Sequence, residues 1–140
     1  MDGISIDRLT VGQRSSFTKT VSETDIYMFA VVSGDVNPAH LNEEYAKTTR
    51  FGKRIAHGII SAGLISAVIG VWLPGPGSIY MGQNLSVLAP VYIGNTITAS
   101  VEVIEIIPEK NRVRLKTTCV NQDGKTVTEG EALVMPPKAR

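Results

Sequence analysis

Apolar and polar positions alternate strictly along the C-terminal half of the chain. Ile97, Ala99, Val101 and Val103 interleave with Thr98, Ser100 and Glu102, and Val113, Leu115, Thr117 and Cys119 recur at the same period. A period of two puts one set of side chains on a single face, so both stretches predict strands with one buried side. Gln122-Asp123-Gly124-Lys125 is a hairpin signal that leads into a last strand from Thr126 to about Met135. Gly94-Asn95 and the stretch from Pro108 to Asn111 supply further turns, Ser78 to Val91 reads as another strand, and Arg14 to Thr20 as an early one. The middle of the chain behaves differently. From Ile55 to Val101 there is no Asp, Glu, Lys or Arg. Within it, His57 to Leu73 contains no proline and runs into Pro74-Gly75-Pro76-Gly77, a strong stop. Those residues predict a helix roughly 25 Å long, apolar on nearly every side and therefore buried. Ser61, Ser66, Pro74, Pro76, Gln83 and Asn84 interrupt the uncharged stretch well short of the roughly 20 apolar residues a bilayer span needs.

Upstream of that helix the punctuation is local. Ser22-Glu23-Thr24-Asp25 resembles a capping box opening a helix through Ser33, with Ile26, Phe29 and Ala30 on one face and Gly34 as a left-handed terminator. Asn37-Pro38 reads as an N-cap followed by proline at the first helical position, and Asn42-Glu43-Glu44 as another helix start. One long apolar helix and about five strands, mostly joined by hairpins, predict a single α+β domain over residues 1–140 in which antiparallel strands wrap a buried helix. Such a sheet leaves two edges. The uncharged strand between Ser78 and Val91 predicts that its edge is covered by a second copy, giving a homodimer.

Composition narrows the function classes. The chain has 140 residues, 14 Lys+Arg against 13 Asp+Glu and a formal charge of +1. That balance lacks the electrostatic footprint nucleic acid or an anionic membrane would require, so neither is expected as a partner. A lone cysteine, Cys119, excludes an internal disulfide and a cysteine-based metal cluster; in an apparent strand face it reads as a small core residue. Met1 to Arg8 carries acidic residues and no long apolar run, so it reads as neither a signal nor a transit peptide, and a cytoplasmic location is expected.

Candidate chemistry concentrates in one window. Both histidines, His40 and His57, fall between Asp35 and His57. Pro38 pushes Asn37 out of the helical region and fixes its own φ, so the segment from Asp35 to His40 is stiff. A stiff loop can bring a carboxylate and an imidazole to one point, as acid–base chemistry requires. The same Asp35 and Asn37 would equally serve as caps for backbone N–H groups, with His40 a half-buried polar residue. His57-Gly58 opens the long helix, where unpaired N–H groups and the positive dipole end make Gly58 a candidate oxyanion donor; its other reading is close helix–strand packing, with His57 a tethered core residue. Gly58, Ala62, Ser66 and Ile69 share one helix face and could line a groove that closes at Ile69, or simply pack against the sheet. Two histidines without i, i+4 spacing and no cysteine pair make no zinc pattern. Nucleophile-elbow, phosphate-loop and dinucleotide fingerprints are absent from the sequence.

Taken together, Asp35-x-Asn37-Pro38-x-His40, then His57-Gly58, Gly82-Gln83 and Pro90-Val91-x-x-Gly94 resemble the MaoC-like dehydratases, and within them the short, single-domain (R)-specific enoyl-CoA hydratases. The resemblance runs from about Val11 to Val134. It implies the hot-dog fold, in agreement with the helix and strands read from periodicity. It also implies a hydro-lyase acting on trans-2-enoyl thioesters, in fatty-acid oxidation, polyester monomer supply or amino-acid breakdown. By position, it puts the catalytic pair on Asp35 and His40, the oxyanion glycine on Gly58, and the acyl pocket on Ser66, Ile69 and Val134, with Asn37 inside the motif. Coenzyme A is then part of the substrate, and no redox cofactor or metal is implied. Two other readings on the same scaffold are an acyl-CoA thioesterase and a non-catalytic acyl-CoA-binding module.

Overall fold

The computed structural model describes residues 2–140; Met1, the first residue of the N-terminal stretch read above, lies outside the described residues. Five strands form one antiparallel sheet: β1 (Arg14–Thr20), β2 (Ile79–Val87), β3 (Thr96–Ile107), β4 (Arg112–Val120) and β5 (Thr126–Met135), in the order β1-β3-β4-β5-β2. The helices are α1 (Glu23–Ser33), α2 (Pro38–Leu41), α3 (Glu43–Ala46) and α4 (Ile60–Val71). This is the α+β, hot-dog arrangement expected from the sequence. Among the described residues no helix is long and apolar enough to cross a membrane.

The alternation does what the period predicted. Ile97, Ala99, Val101 and Val103 of β3, and Val113, Leu115, Thr117 and Cys119 of β4, are all buried, while their intervening neighbours are not. They meet Ile65, Val68 and Ile69 of α4 in one core cluster that also takes in Val127, Ala132 and Val134 of β5. Hairpin turns join β3 to β4 and β4 to β5, with positive φ at Asn111, the end of a 3-10 turn over Pro108–Lys110, and at Gly124, whereas Gly94 turns the chain between β2 and β3, which are not paired.

Two expectations for the long helix need correction. It starts at Ile60 and not at His57, because no side chain caps it: the N-cap is Ile59, and the first bonds are i→i+3, from Ile60 N–H to His57 O and Ala62 N–H to Ile59 O. A first turn wound this tightly is 3-10 in character, and the α-helix proper follows it. Nor is it buried on every side. Leu64, Ile65, Val68 and Ile69 face the sheet, whereas Gly58, Ile59, Gly63, Ser66, Gly70 and Val71 stay exposed in the isolated chain, since a single sheet can cover only one side of a cylinder.

The two sheet edges are unlike. β1 carries Arg14 and Lys19, paired with Glu102 and Asp25. β2 lies at the other edge, bonded only to β5, without a charged residue and with Ile79, Met81 and Val87 exposed. It is shorter than expected, ending at Val87, where Leu88 and Ala89 turn their N–H groups onto Val127 O before Pro90.

Candidate active site

Residues 22–57 arch over the N-terminal end of α4, and the site is built from this arch. The sequence-read caps all form. Ser22 and Asp25 make a reciprocal capping box on α1, Gly34 ends it at φ 79°, Asn37 caps α2 by accepting the Ala39 N–H at 3.0 Å, and Asn42 caps α3 by accepting the Tyr45 N–H at 3.1 Å. Between α1 and α2 the chain turns sharply. Asp35 N–H donates to Ser33 Oγ, and the Asp35 carboxylate accepts the Asn37 N–H at 3.2 Å. Asp35 and Asn37 therefore do satisfy local backbone groups; Asp35 remains exposed and Oδ2 is left free of that bond.

His40 is buried, 8% exposed, and its Nδ1 lies 2.7 Å from Ile55 O. A carbonyl oxygen can only accept, so Nδ1 carries the proton and Nε2 of the neutral ring presents a lone pair. His57 is buried more deeply, at 2%, with Nε2 2.9 Å from the Asp35 carbonyl oxygen. The two imidazole rings lie against each other with centroids 4.0 Å apart and planes tilted by 32°, and the Phe29 ring packs on His57 at 4.7 Å. A side-chain donor atom from each of Asp35, His40 and His57 lies within 4.8 Å of the other two. Histidine spacing along the chain gave no hint of this three-way meeting.

Such a cluster invites a metal, but two ring nitrogens are already committed to backbone carbonyls. A tetrahedral zinc with ligands at about 2.0–2.1 Å needs donors roughly 3.4 Å apart. A carboxylate and a bare imidazole nitrogen at this spacing suit a water held between them, since each accepts one of its hydrogens.

Gly58 follows His57 directly. Among the described residues its N–H has no hydrogen-bond acceptor, and it lies exposed in the turn just before the N-cap of α4. The packing reading holds as well: a Cβ at Gly58 would sit 3.4 Å from both Val87 methyls. The three acyl-pocket expectations separate. Ser66 is exposed on the uncovered side of α4, while Ile69 (2%) and Val134 (0%) are sealed in the core cluster. Thr117 is buried on the same sheet, where Gln83 Nε2 donates to its hydroxyl at 2.9 Å and the Tyr80 hydroxyl donates to Gln83 Oε1. Burial pushes the Tyr80 phenol up, and Cys119 nearby adds to this. Burial also raises the Cys119 thiol to about 11, against a hydrogen bond to Ser61 O that lowers it. It is a protonated core residue and no nucleophile.

Arg54 was not singled out from the sequence, yet it ties the arch together. Its guanidinium pairs with Glu23 of α1 at 3.0 Å and Glu43 of α3 at 3.4 Å, and donates to Tyr27 Oη. The bond to Tyr27 and then Glu23 raises the guanidinium further, against burial, while Tyr27 and Arg54 hold the Glu23 carboxyl below its ordinary range.

Comparison with known proteins converges on one family. The MaoC like domain matches residues 9–129. The chain is 59% identical to the (R)-specific enoyl-CoA hydratase of Rhodospirillum rubrum over 90% of its length and 87% of that protein. It is 51% identical to the 3-hydroxybutyryl-CoA dehydratase of Methylorubrum extorquens, over 93% and 82% respectively. Among solved structures, the unliganded R-hydratase from Pseudomonas aeruginosa superposes with a TM-score of 0.93 at 49% identity, covering 98% of this chain and 88% of that one. With the fold, the Asp-x-Asn-Pro-x-His bend and these likenesses in agreement, the chain belongs to the MaoC-like family.

Proposed function

We propose that this chain is an (R)-specific enoyl-CoA hydratase, adding water reversibly to trans-2-enoyl-CoA to give (R)-3-hydroxyacyl-CoA. The observation that carries the reading is the meeting of Asp35, His40 and His57, one side-chain ligand atom of each within 4.8 Å of the others, with the unpaired Gly58 N–H next along the chain from His57. Relatives that align over most of the chain are named for the same reaction in its two directions.

In the proposed mechanism the thioester carbonyl oxygen sits at the Gly58 N–H, and Asp35 and His40 hold one water at the β-carbon. One of the pair removes a proton as the water oxygen bonds to the β-carbon. The π electrons move through the α-carbon onto the carbonyl oxygen, and as they return the protonated member of the pair delivers that proton to the α-carbon, which regenerates the base. Nothing is oxidised or reduced, so no redox cofactor is called for, and coenzyme A enters only as part of the substrate. Bulk water, with a pKa of about 15.7, is a poor nucleophile. A positioned base contributes typically about 10²–10⁴-fold, and a backbone donor at the enolate oxygen lowers the barrier by about 3–4 kcal/mol. Ser66, on the exposed side of α4, is assigned to the acyl tail, whereas Ile69 and Val134 are sealed in the core of the isolated chain.

Loss of enoyl absorbance with crotonyl-CoA tests the reading. Asp35→Asn and His40→Ala should each lose about 10²–10⁴-fold in kcat while remaining folded. Near-normal turnover in both would overturn the assignment, and thiol release from an acyl-CoA in place of hydration would make the chain a thioesterase.

The working unit is proposed to be a homodimer joined along β2. That edge is uncharged, and Ile79, Met81, Val87 and Leu88 are exposed on or beside it; unprotected edges of this kind pair with another strand. Sedimentation equilibrium should return two copies per particle, and a single copy at micromolar concentration would refute the pairing.

A further inference from the structure

We propose that His57 is a positioning residue that holds the Asp35–His40 pair together through its Nε2–H. The inference rests on the hydratase reading above and adds a third residue to it. Asp35 lies in residues 34–37, which belong to neither helix nor strand. The other hydrogen bonds of this bend reach no farther than four residues along the chain: Gly34 N–H to Ala30 O, Asp35 N–H to Ser33 Oγ, Val36 N–H to Gly34 O, Asn37 N–H to the Asp35 carboxylate, Ala39 N–H to Asn37 Oδ1, and His40 N–H to Asn37 O. Among the described residues, the bond from His57 Nε2–H to the Asp35 carbonyl, 22 positions away, is the bend's one long-range hydrogen bond.

The same ring packs on His40 with centroids 4.0 Å apart and planes tilted by 32°, and His40 is itself anchored to Ile55, two residues before His57. One side chain thus fixes the backbone that carries the carboxylate and backs the imidazole that shares its water. The protonation pattern fits this role. Donation to a carbonyl places the proton on Nε2, so the remaining lone pair falls on Nδ1, which is buried without a hydrogen-bond partner. An orphaned buried nitrogen is a cost that packing alone does not explain, because an apolar ring would avoid it. The donor on the opposite nitrogen explains why an imidazole stands here. Holding a reacting group to within a fraction of an ångström matters strongly to rate, and a 1 Å misplacement can cost about 100-fold.

Three variants separate the donor from the ring. His57→Phe keeps an aromatic face and removes the donor, His57→Met removes both, and His57→Gln keeps an amide N–H near the Nε2 position without the ring. Crotonyl-CoA hydration is measured for each, with folding followed by circular dichroism and thermal melting. H57F and H57M should lose about 100-fold in kcat with KM within about threefold, and H57Q should stay within about tenfold of the parent. Either donor-less variant suffices if the other fails to fold. Folded H57F matching or exceeding H57Q would overturn the proposal and leave His57 a packing residue. A fall in KM-governed binding with kcat intact would overturn it as well. If the parent chain hydrates crotonyl-CoA, Asp35→Asn is inactive and H57F is normal, the positioning role alone fails. If the parent chain has no hydratase activity, the functional reading itself fails.

Discussion

The sheet with α4 and the arch over residues 22–57 are held by different forces. In the sheet the buried set is large and apolar: Ile97, Val101, Val103, Val113, Leu115, Val127 and Val134 are all at most 1% exposed. Burial energy of this kind scales with area and is indifferent to direction. The arch buries little. Ile26, Ala30 and Ala46 are its buried apolar side chains before Ala56, and α1 leaves Val31 and Val32 at 84% and 85% exposure. What fixes the arch is a chain of directional contacts: three caps, the Arg54 pairs with Glu23 and Glu43, and the two imidazole-to-carbonyl bonds. A core held by area tolerates small displacements, whereas a site needs atoms placed to within a fraction of an ångström. The molecule assigns stability to the first region and placement to the second.

Substitution in each region should therefore fail in a different way. The largest effect on stability is expected in the core. Ile97→Ala removes a side chain that is 1% exposed and should cost about 2–5 kcal/mol by denaturant unfolding. Turnover per folded molecule should stay near that of the parent. A kcat collapse in folded Ile97→Ala would show that core and site are mechanically coupled, and the contrast drawn here would not hold.

The same contrast governs what was legible in the amino-acid sequence. β1 and β5 fall where alternation and turn chemistry put them, because a period of two and an Asp-Gly turn are local facts. The caps at Ser22, Asn37 and Asn42 were legible for the same reason, each being a bond across two or three residues. The start of α4 was not, since Ile59 carries no capping group to mark it. Its exposed face was missed because low charge was read as burial on nearly every side, whereas one sheet covers only one side of a helix. Asp35 and His40 share a bend stiffened by Pro38, so their pairing could be proposed from spacing. The bond from His57 to the Asp35 carbonyl left no trace: every residue has a carbonyl, and nothing in the side-chain pattern says which one an imidazole 22 positions away will meet.

The smallest effect isolates one directional contact of the arch. Ser22 Oγ accepts the Asp25 N–H at 3.1 Å, and the Asp25 carboxylate accepts the Ser22 N–H at 2.8 Å and pairs with Lys19 at 3.2 Å. Partial burial would raise the Asp25 carboxyl, but the bonds from Ser22 and Lys19 outweigh it and hold it below its ordinary range. Because the folded protein binds this proton less tightly than the unfolded chain, the contribution is present above the ordinary aspartate value of about 3.9. It fades as the pH falls through the lower folded value. Ser22→Ala should cost about 1 kcal/mol at neutral pH. Asp25→Asn should cost a similar amount there, and its difference from the parent should shrink below about pH 4. Urea midpoints measured from pH 7 down to pH 3 check this. A difference that stayed constant with pH would mean that the charge of Asp25 contributes nothing to the cap, and that the arch is held at this end by geometry alone.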